Sequence, residues 1–400
     1  MIGWKALTLI GAALALLWQT RPAYAVAYLM LLFFFAAPNL LERSAKKLIV
    51  SRRGGEQYLF PGDEGQVSLV VQNPTVLPFA WISILDSIPR NLVLGTRLPK
   101  PVFSLGPKQS REVAFPLLAR ERGVYRLGPL ELFVGDFFGI STWRHHIAAE
   151  QTIVVYPQVR SLPELALPSR LSFGNFPALQ RIHPDPTRLA GVRPYEQGDP
   201  LRTIHWPASA RTQALQVKQF DHTVTVNCRI FLDFCQDSYS VSQFFPATER
   251  AVTTAASLAA HIIQRGEACG LATNAVLNEY LPESTGISYD TGHIHLRPRQ
   301  GAQQLSEILS ILAGVCPQNQ KDFLTLVQES SDALEQGTIL LWVVPRDTPE
   351  VLKAAADYVR QGRQVSIFAV EKVLHPELLH AAPGSALQVF EVSMDGEVTL

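Results

Sequence analysis

Two apolar runs at the start of the chain constrain its architecture more than any other feature. The first run is Ile2–Trp18, interrupted only by Lys5, and the second is Ala23–Leu41. Each run approaches the roughly 17–25 residues that a membrane-spanning helix needs. Because only residues 19–22 separate them, the two runs predict an antiparallel transmembrane hairpin over residues 1–41.

Basic residues around these runs predict the orientation of the hairpin. The turn between the runs holds a single basic residue, Arg21, whereas five follow the second run: Arg43, Lys46, Lys47, Arg52 and Arg53. The positive-inside rule places such a basic flank in the cytoplasm. The sequence therefore predicts a multi-pass protein of the plasma (inner) membrane, with its folded domains cytoplasmic and the membrane as a partner.

The tripeptide Ala23-Tyr24-Ala25 offers an alternative interpretation of the same region. A charged residue, an apolar stretch and an A-x-A tripeptide together resemble a cleavable signal peptide. Cleavage after Ala25 would remove the first segment and leave Val26–Leu41 as an anchor. Both interpretations predict the same side of the membrane for the remainder of the chain.

Charge content bears on the class of partner, and cysteine content bears on the redox compartment. Lys plus Arg and Asp plus Glu both number 35, so the formal net charge is zero. A nucleic-acid-binding surface needs a clear basic excess, and we expect no nucleic-acid partner. The four cysteines form no C-x-x-C pair, so they are expected to be packed free thiols in a reducing compartment.

Residues 42–160 have the pattern of a β-rich domain. Short alternating runs are punctuated by proline and glycine, as in a sandwich of antiparallel strands. The predicted strands are Gln66–Gln72, Trp81–Leu85, Glu112–Leu118, Tyr125–Phe133 and Thr152–Tyr156. Residues 161–223, which follow, are rich in proline and are predicted to be irregular.

From residue 224 to 400 the pattern changes to alternating strands and helices. The predicted strands are Thr223–Phe234, Gly337–Val344 and Gln364–Val370, and the predicted helices include Ala247–Arg265 and Gln303–Val315. A further helix has clear boundaries, with Thr348 as N-cap, Pro349 at its first position and Gly362 beyond its end. Such alternation predicts a doubly wound α/β domain.

Three motifs along the chain carry a family resemblance. The segment Gly191–Asp221 resembles the signature of the domain of unknown function 58 family. The matching positions are Arg193, Tyr195, Gly198, Asp199, Arg202, Ile204, Trp206, Ala210, Arg211, Val217 and Lys218. Arg122–Pro129 with Asp136–Gly139 upstream, and Arg297–Gly301 downstream, are similar to the family's other conserved stretches.

This resemblance implies an architecture and a partner. It implies a membrane hairpin, a β-rich region and a von Willebrand factor A-like domain, together with an association with MoxR-type AAA+ ATPases. The expected fold class is therefore multidomain, with two N-terminal transmembrane helices, a β-sandwich-like domain and a doubly wound, von Willebrand A-like α/β domain. A role in the assembly or activation of partner complexes is also implied.

Asp233 and Asp237 are the candidate metal ligands. They follow the first predicted α/β strand as Asp233-Phe234-Cys235-Gln236-Asp237, where von Willebrand A-type domains often carry a D-x-S-x-S magnesium site. A thiol and a carboxylate replace the two hydroxyls, and Mg²⁺ prefers hard oxygen ligands. The favoured expectation is therefore no cofactor, with Mg²⁺ as the alternative.

The signature segment admits two interpretations. In the first, Arg193, Arg202 and Arg211 form a docking or anion-binding surface for a carboxylate or phosphate. In the second the segment is an internal lock, in which Gly198-Asp199 makes a tight turn, Asp199 pairs with an arginine, and Tyr195 and Trp206 pack between domains. The lock is favoured, and the two are compatible.

The sequence predicts no catalytic residue. It contains no G-x-S-x-G, H-E-x-x-H or P-loop motif. We therefore expect a membrane-tethered, cytoplasmic, non-enzymatic interaction or scaffold protein that assists a MoxR-type ATPase. One alternative is a metal-dependent ligand-binding module. The other is a hydrolase of unknown substrate that works through His205, with Asp199 and Ser209 near it in sequence.

Overall fold

The structure, a computed structural model, describes most of the chain outside the N-terminus. The described residues are 10–11, 13, 17, 20–31, 37–95, 99–136, 142–162, 184–222, 227–281, 288–290, 293–319, 322–331, 334–335, 337–375, 386–393 and 398–399. They form two compact units. The first comprises Met1–Gln158, Leu277–Thr285 and Leu309–Val315, and the second comprises Val159–Val276, Gly286–Ile308 and Cys316–Leu400.

The first unit is built from short strands. Two helices precede them, α1 (Arg21–Leu31) and α2 (Ala37–Ala45). The strands are β1 (Ile49–Arg53), β2 (Gln57–Leu59), β3 (Glu64–Gln72), β4 (Phe79–Asp86), β5 (Val102–Leu105), β6 (Ser110–Leu118), β7 (Gly123–Leu127), β8 (Leu130–Gly135), β9 (Thr142–Ile147) and β10 (Gln151–Val155). They form three sheets in the orders β1-β3-β6, β2-β10-β7 and β5-β4-β8-β9.

Alternation along the strands of the first unit creates its core. In β3, Val67, Leu69 and Val71 are fully buried while their neighbours are more exposed, because successive side chains of a strand point to opposite faces. Residues from all three sheets contribute to one apolar cluster. Arg52 of β1 and Asp86 of β4 form a buried ion pair between two of the sheets.

The second unit begins with a hairpin and continues into an eight-stranded sheet. Its strands are β11 (Pro184–Pro194), β12 (Gln216–His222), β13 (Asn227–Leu232), β14 (Ala268–Thr273), β16 (Ser288–Asp290), β17 (His293–Arg299), β19 (Ile339–Arg346), β20 (Val365–Lys372), β21 (Leu387–Val392) and β22 (Val398–Thr399). Its helices are α3 (Trp206–Thr212), α4 (Phe244–Gln264), α6 (Phe323–Ser331) and α7 (Pro349–Arg360). Helix α5 (Ala302–Gly314) and the paired strands β15 (Val276–Leu277) and β18 (Val315–Cys316) lie where the chain passes between the units.

The large sheet has the order β16-β17-β14-β13-β19-β20-β21-β22. The five strands from β14 to β21 are parallel, and the others are antiparallel to their neighbours. The parallel strands are nearly continuous buried runs, as expected for a sheet covered on both faces. Helices α6 and α7 pack on one face around Trp342, and α4 contacts β13, β14, β19 and β20.

Several elements lie where the sequence predicts them. The helix predicted at Ala247–Arg265 is α4, and the one predicted at Gln303–Val315 is α5. Thr348 caps α7, since its Oγ1 accepts a hydrogen bond from the Val351 amide (3.4 Å), and Gly362 beyond its end has a φ of +81°. Local capping chemistry therefore determines these boundaries.

The structure contradicts the predicted transmembrane hairpin. Among the described residues, no helix is both long enough and apolar enough to cross a membrane. The predicted multi-pass membrane localisation is corrected with the hairpin. Residues 32–36 of the second segment, Ala23–Leu41, lie outside the described residues. Most of the first segment, Ile2–Trp18, lies outside the described residues.

The predicted fold class also needs correction in the rest of the chain, where several small sheets contain most of the strands. The strand predicted at Tyr125–Phe133 is two strands, β7 and β8, which belong to different sheets. The chain changes sheets at Gly128-Pro129, because proline has no N–H to continue a ladder. The three sheets of the first unit therefore replace the expected sandwich. The described part of the predicted irregular segment, 184–222, contains the β11–β12 hairpin.

Candidate functional site

The signature hairpin, residues 184–222, carries the family-like motif. Strands β11 and β12 are antiparallel, with Arg193 opposite Val217 and Pro194 opposite Gln216. Between the strands lie a 3₁₀ turn, Leu201–Thr203, and the short helix α3. All the sequence-predicted signature residues thus lie on one local element.

Arg193 and Asp199 form an ion pair across the turn that follows β11. Arg193 donates two hydrogen bonds to Asp199, from Nη1 to Oδ2 (2.8 Å) and from Nη2 to Oδ1 (2.7 Å). The Glu196 amide donates a third to Oδ2 (3.0 Å), and these bonds hold the pKa of Asp199 below its usual value. Gly198 has a φ of +116°, a conformation that favours glycine. These bonds brace the turn, and the charges of Arg193 and Asp199 neutralise each other.

His205 and Ser209 form hydrogen bonds that hold α3 and the start of β12. The imidazole Nδ1 of His205 accepts a hydrogen bond from the Ala208 amide (3.1 Å) and so caps α3. The Ser209 hydroxyl donates to the His205 carbonyl (3.1 Å) and accepts from the Gln216 amide (2.8 Å). Both residues of the hydrolase hypothesis are thus engaged with the backbone of the hairpin.

The exposed side chains of this element include two large apolar residues and two arginines. Leu201 is 70% exposed and Trp206 is 67% exposed, and Arg202 and Arg211 are exposed as well. We call these four residues the signature surface. Tyr195 is partly buried, and its amide donates to the Leu215 carbonyl (2.9 Å).

Asp233 lies at the carboxyl end of β13 and is only 4% exposed. Its Oδ1 accepts hydrogen bonds from the Cys235 amide (3.1 Å) and from Nδ2 of Asn274 (3.0 Å), whose Oδ1 accepts from the Phe234 amide (2.7 Å). Burial raises the pKa of Asp233 and outweighs these bonds. The carboxylate therefore holds the end of β13 to the end of β14.

The donor set predicted for Mg²⁺ is a poor fit to that ion. One oxygen of Asp233 already accepts two N–H groups, Cys235 is a buried thiol, and Asp237 is exposed in a 3₁₀ turn. Mg²⁺ requires hard oxygen ligands in nearly octahedral geometry. Within the described ranges, no group of three or more His, Cys, Asp or Glu side chains is arranged to hold a metal ion.

Sequence inspection missed a second cluster at the same edge of the sheet. Glu371 of β20 accepts hydrogen bonds from the amide and the hydroxyl of Ser240 (both 2.8 Å) and from Nε of Arg346 (3.0 Å). Arg346 also donates to the Ser240 hydroxyl. These residues are separated by up to 131 positions, and no local motif marks them. Only the neighbouring positions of β19 and β20 bring them together.

The second unit is thus an α/β domain with a self-bonded hairpin ahead of its first central strand. Residues 191–336 match the family described as "Protein of unknown function DUF58". The chain is also 24% identical over 285 residues to the uncharacterized protein YeaD of Bacillus subtilis (strain 168), with 68% of each chain covered. Both matches support the assignment to the domain of unknown function 58 family.

Solved structures show weaker similarity. A native alpha-2-macroglobulin from Escherichia coli is 18% identical with a TM-score of 0.24, covering 28% of this chain and 17% of that chain. The CARDB domain of the PF1109 protein from Pyrococcus furiosus is 19% identical with a TM-score of 0.20, covering 27% of this chain and 87% of that domain. Both TM-scores are too low to define the fold.

Proposed function

We propose that this protein is a non-enzymatic interaction protein that binds a partner protein through the signature surface. One observation carries the proposal: a rigid hairpin displays a large aromatic residue, an exposed leucine and two exposed arginines. Asp199 and Ser209, by contrast, form hydrogen bonds within the hairpin itself. A frame of this kind presents side chains at little entropic cost on binding.

The residue types of the signature surface favour protein binding. Tryptophan and arginine are the residues most enriched among those that dominate binding energy at protein interfaces. An exposed apolar patch costs free energy in water unless a partner covers it. Arg202 and Arg211 add two positive charges, which favour an acidic surface on the partner.

We propose a MoxR-type AAA+ ATPase as the partner, on the basis of the family resemblance. The protein would act as a scaffold that assists this ATPase in the assembly or activation of another complex. The signature surface supplies the contact, and the α/β domain supplies the support that holds it. This proposal requires neither a bound metal nor a catalytic residue.

The test is calorimetric titration of the purified full chain with a purified MoxR-type ATPase encoded by the same genome. We expect Trp206→Ala to weaken binding about 30-fold or more, the effect of losing a central interface aromatic of about 2 kcal/mol. Arg202→Glu should weaken it as well, and this effect should diminish at high salt.

Phe245→Ala is the matched control, because Phe245 is a similarly exposed aromatic on α4, outside the hairpin. It should bind like the wild type. Equal loss in Trp206→Ala and Phe245→Ala would reject the signature surface as the contact. Absence of binding by the wild type in the presence and absence of nucleotide would reject the ATPase as the partner.

A further inference from the structure

Arg229 occupies an unusual position inside the second unit. It lies in the middle of β13 and is only 5% exposed. Its guanidinium carbon is 5.7 Å from the centre of the Phe231 ring, and its Nη2 is 3.2 Å from Nδ1 of His295 on β17. A guanidinium can only donate hydrogen bonds, so Nδ1 of His295 is the acceptor and its proton lies on Nε2.

This buried cation has no anionic partner among the described residues. Its Nε has no hydrogen-bond acceptor there, and no described carboxylate forms a salt bridge with it. The charge that acts on it is that of Arg297, which has the same sign; burial and this neighbour lower the pKa of Arg229 to about 10. A buried charge is costly unless it is paired. Within the part of the chain that the structure describes, the guanidinium thus has no counterion of the kind that buried arginines normally have.

The surroundings of Arg229 contain further groups that can donate hydrogen bonds. The hydroxyl of Ser330, on α6, is 3.3 Å from the same Nδ1 of His295. Arg297 lies two residues after His295 on β17 and is exposed. Glu329, next to Ser330, is paired with His293, whose Nε2 is 3.3 Å from its Oε2.

The Arg229 guanidinium and the Ser330 hydroxyl therefore both contact the His295 imidazole, and the positive charge of Arg297 acts on the same guanidinium. Arginine forks match the oxygens of phosphate bidentately. We propose that Arg229, His295, Arg297 and Ser330 form a binding site for a phosphate-type oxyanion, which supplies the negative charge that no described residue gives to Arg229. These residues are not part of the signature surface, and the site does not depend on the proposed function.

The test measures binding of inorganic phosphate to the full chain by calorimetry and by thermal unfolding. Wild-type protein should bind phosphate and unfold at a higher temperature in its presence, because a ligand of the folded state stabilises it. Arg297→Gln should weaken binding about tenfold or more, the effect of losing one hydrogen bond to a charged group. Arg297 is exposed, so this variant should fold.

Arg299→Gln is the matched control, since Arg299 is an exposed arginine on the same strand. Its phosphate affinity should match that of the wild type. Arg229→Met removes the buried charge itself. Without phosphate, this variant should unfold at the wild-type temperature or above. Added phosphate should no longer raise its unfolding temperature.

Three results would overturn the proposal. One is that phosphate neither binds nor stabilises the wild type at millimolar concentration. Another is equal affinity in Arg297→Gln and Arg299→Gln, which would indicate nonspecific binding. The third is an equal response to acetate, which would indicate a carboxylate-binding site instead of a phosphate site.

Discussion

The buried ion pair between Arg52 and Asp86 should be a major determinant of the stability of the first unit. Their side chains are 5% and 0% exposed, and two hydrogen bonds join them, Nη1 to Oδ2 (2.9 Å) and Nη2 to Oδ1 (2.7 Å). Nε of Arg52 also donates to the Ala149 carbonyl (2.8 Å). Asp86→Ala would leave this guanidinium buried without its counterion.

Removing one partner of such a pair costs about 3–5 kcal/mol. At about 2–4 °C per kcal/mol for a unit of this size, the unfolding transition of the first unit should fall by roughly 6–20 °C. Differential scanning calorimetry of the full chain measures this change. Because the chain has two units, the transition that moves should be assigned to the first unit.

Glu112→Ala is a matched control on a neighbouring pair. Arg53, the next residue of β1, donates from Nη1 to Oε2 of Glu112 (2.8 Å), but both side chains are exposed. The two pairs have similar hydrogen-bond distances and differ in burial, so Glu112→Ala should cost less than about 1 kcal/mol. Combining Arg52→Met with Asp86→Leu should restore most of the lost stability. Similar small losses in Asp86→Ala and Glu112→Ala would refute the reasoning.

Two further predictions concern the second unit. Trp342 is fully buried, and its ring centre is 5.6 Å from that of Phe323 and 6.0 Å from that of Tyr358. Trp342→Ala should therefore lower the free energy of unfolding of this unit by about 3–5 kcal/mol, as measured by urea titration. A loss below about 1 kcal/mol would contradict its place in the core. Burial alone would raise the pKa of Glu371, but hydrogen bonds from Ser240 and Arg346 outweigh it and lower the pKa. A lowered folded-state pKa means that this stabilisation is present above the ordinary value of 4.5 and is lost as the pH falls through the folded-state value. Glu371→Gln should therefore flatten the dependence of unfolding temperature on pH below about 4.5, and an unchanged profile would argue against the prediction.

Two carboxylates at the carboxyl edge of the large sheet form hydrogen bonds within the protein. Asp233, the alternative Mg²⁺ ligand, accepts hydrogen bonds at Oδ1 from Asn274 and from the Cys235 amide. Glu371 is similarly bonded to Ser240 and Arg346. These contacts join the ends of neighbouring strands and so stabilise the edge of the sheet.

The error in the predicted irregular segment has a physical cause. Prolines at positions 184, 186 and 194 indicate an irregular segment, but β12 pairs with this stretch and makes it a strand. Proline content is a local signal, and hydrogen bonding to β12 overrides it.

What the sequence determined by itself is local. The capping of α7 by Thr348, the apolar faces of α4 and α5 and the alternation of β3 follow from neighbouring residues, because helix and strand periodicity and capping act within a few positions. The tertiary structure decided which charges meet. It paired Arg52 with Asp86 and placed Trp206 at the surface, and it buried Arg229 without a described counterion. Burial and partnership depend on strand order and packing, and these arise only when distant parts of the chain come together.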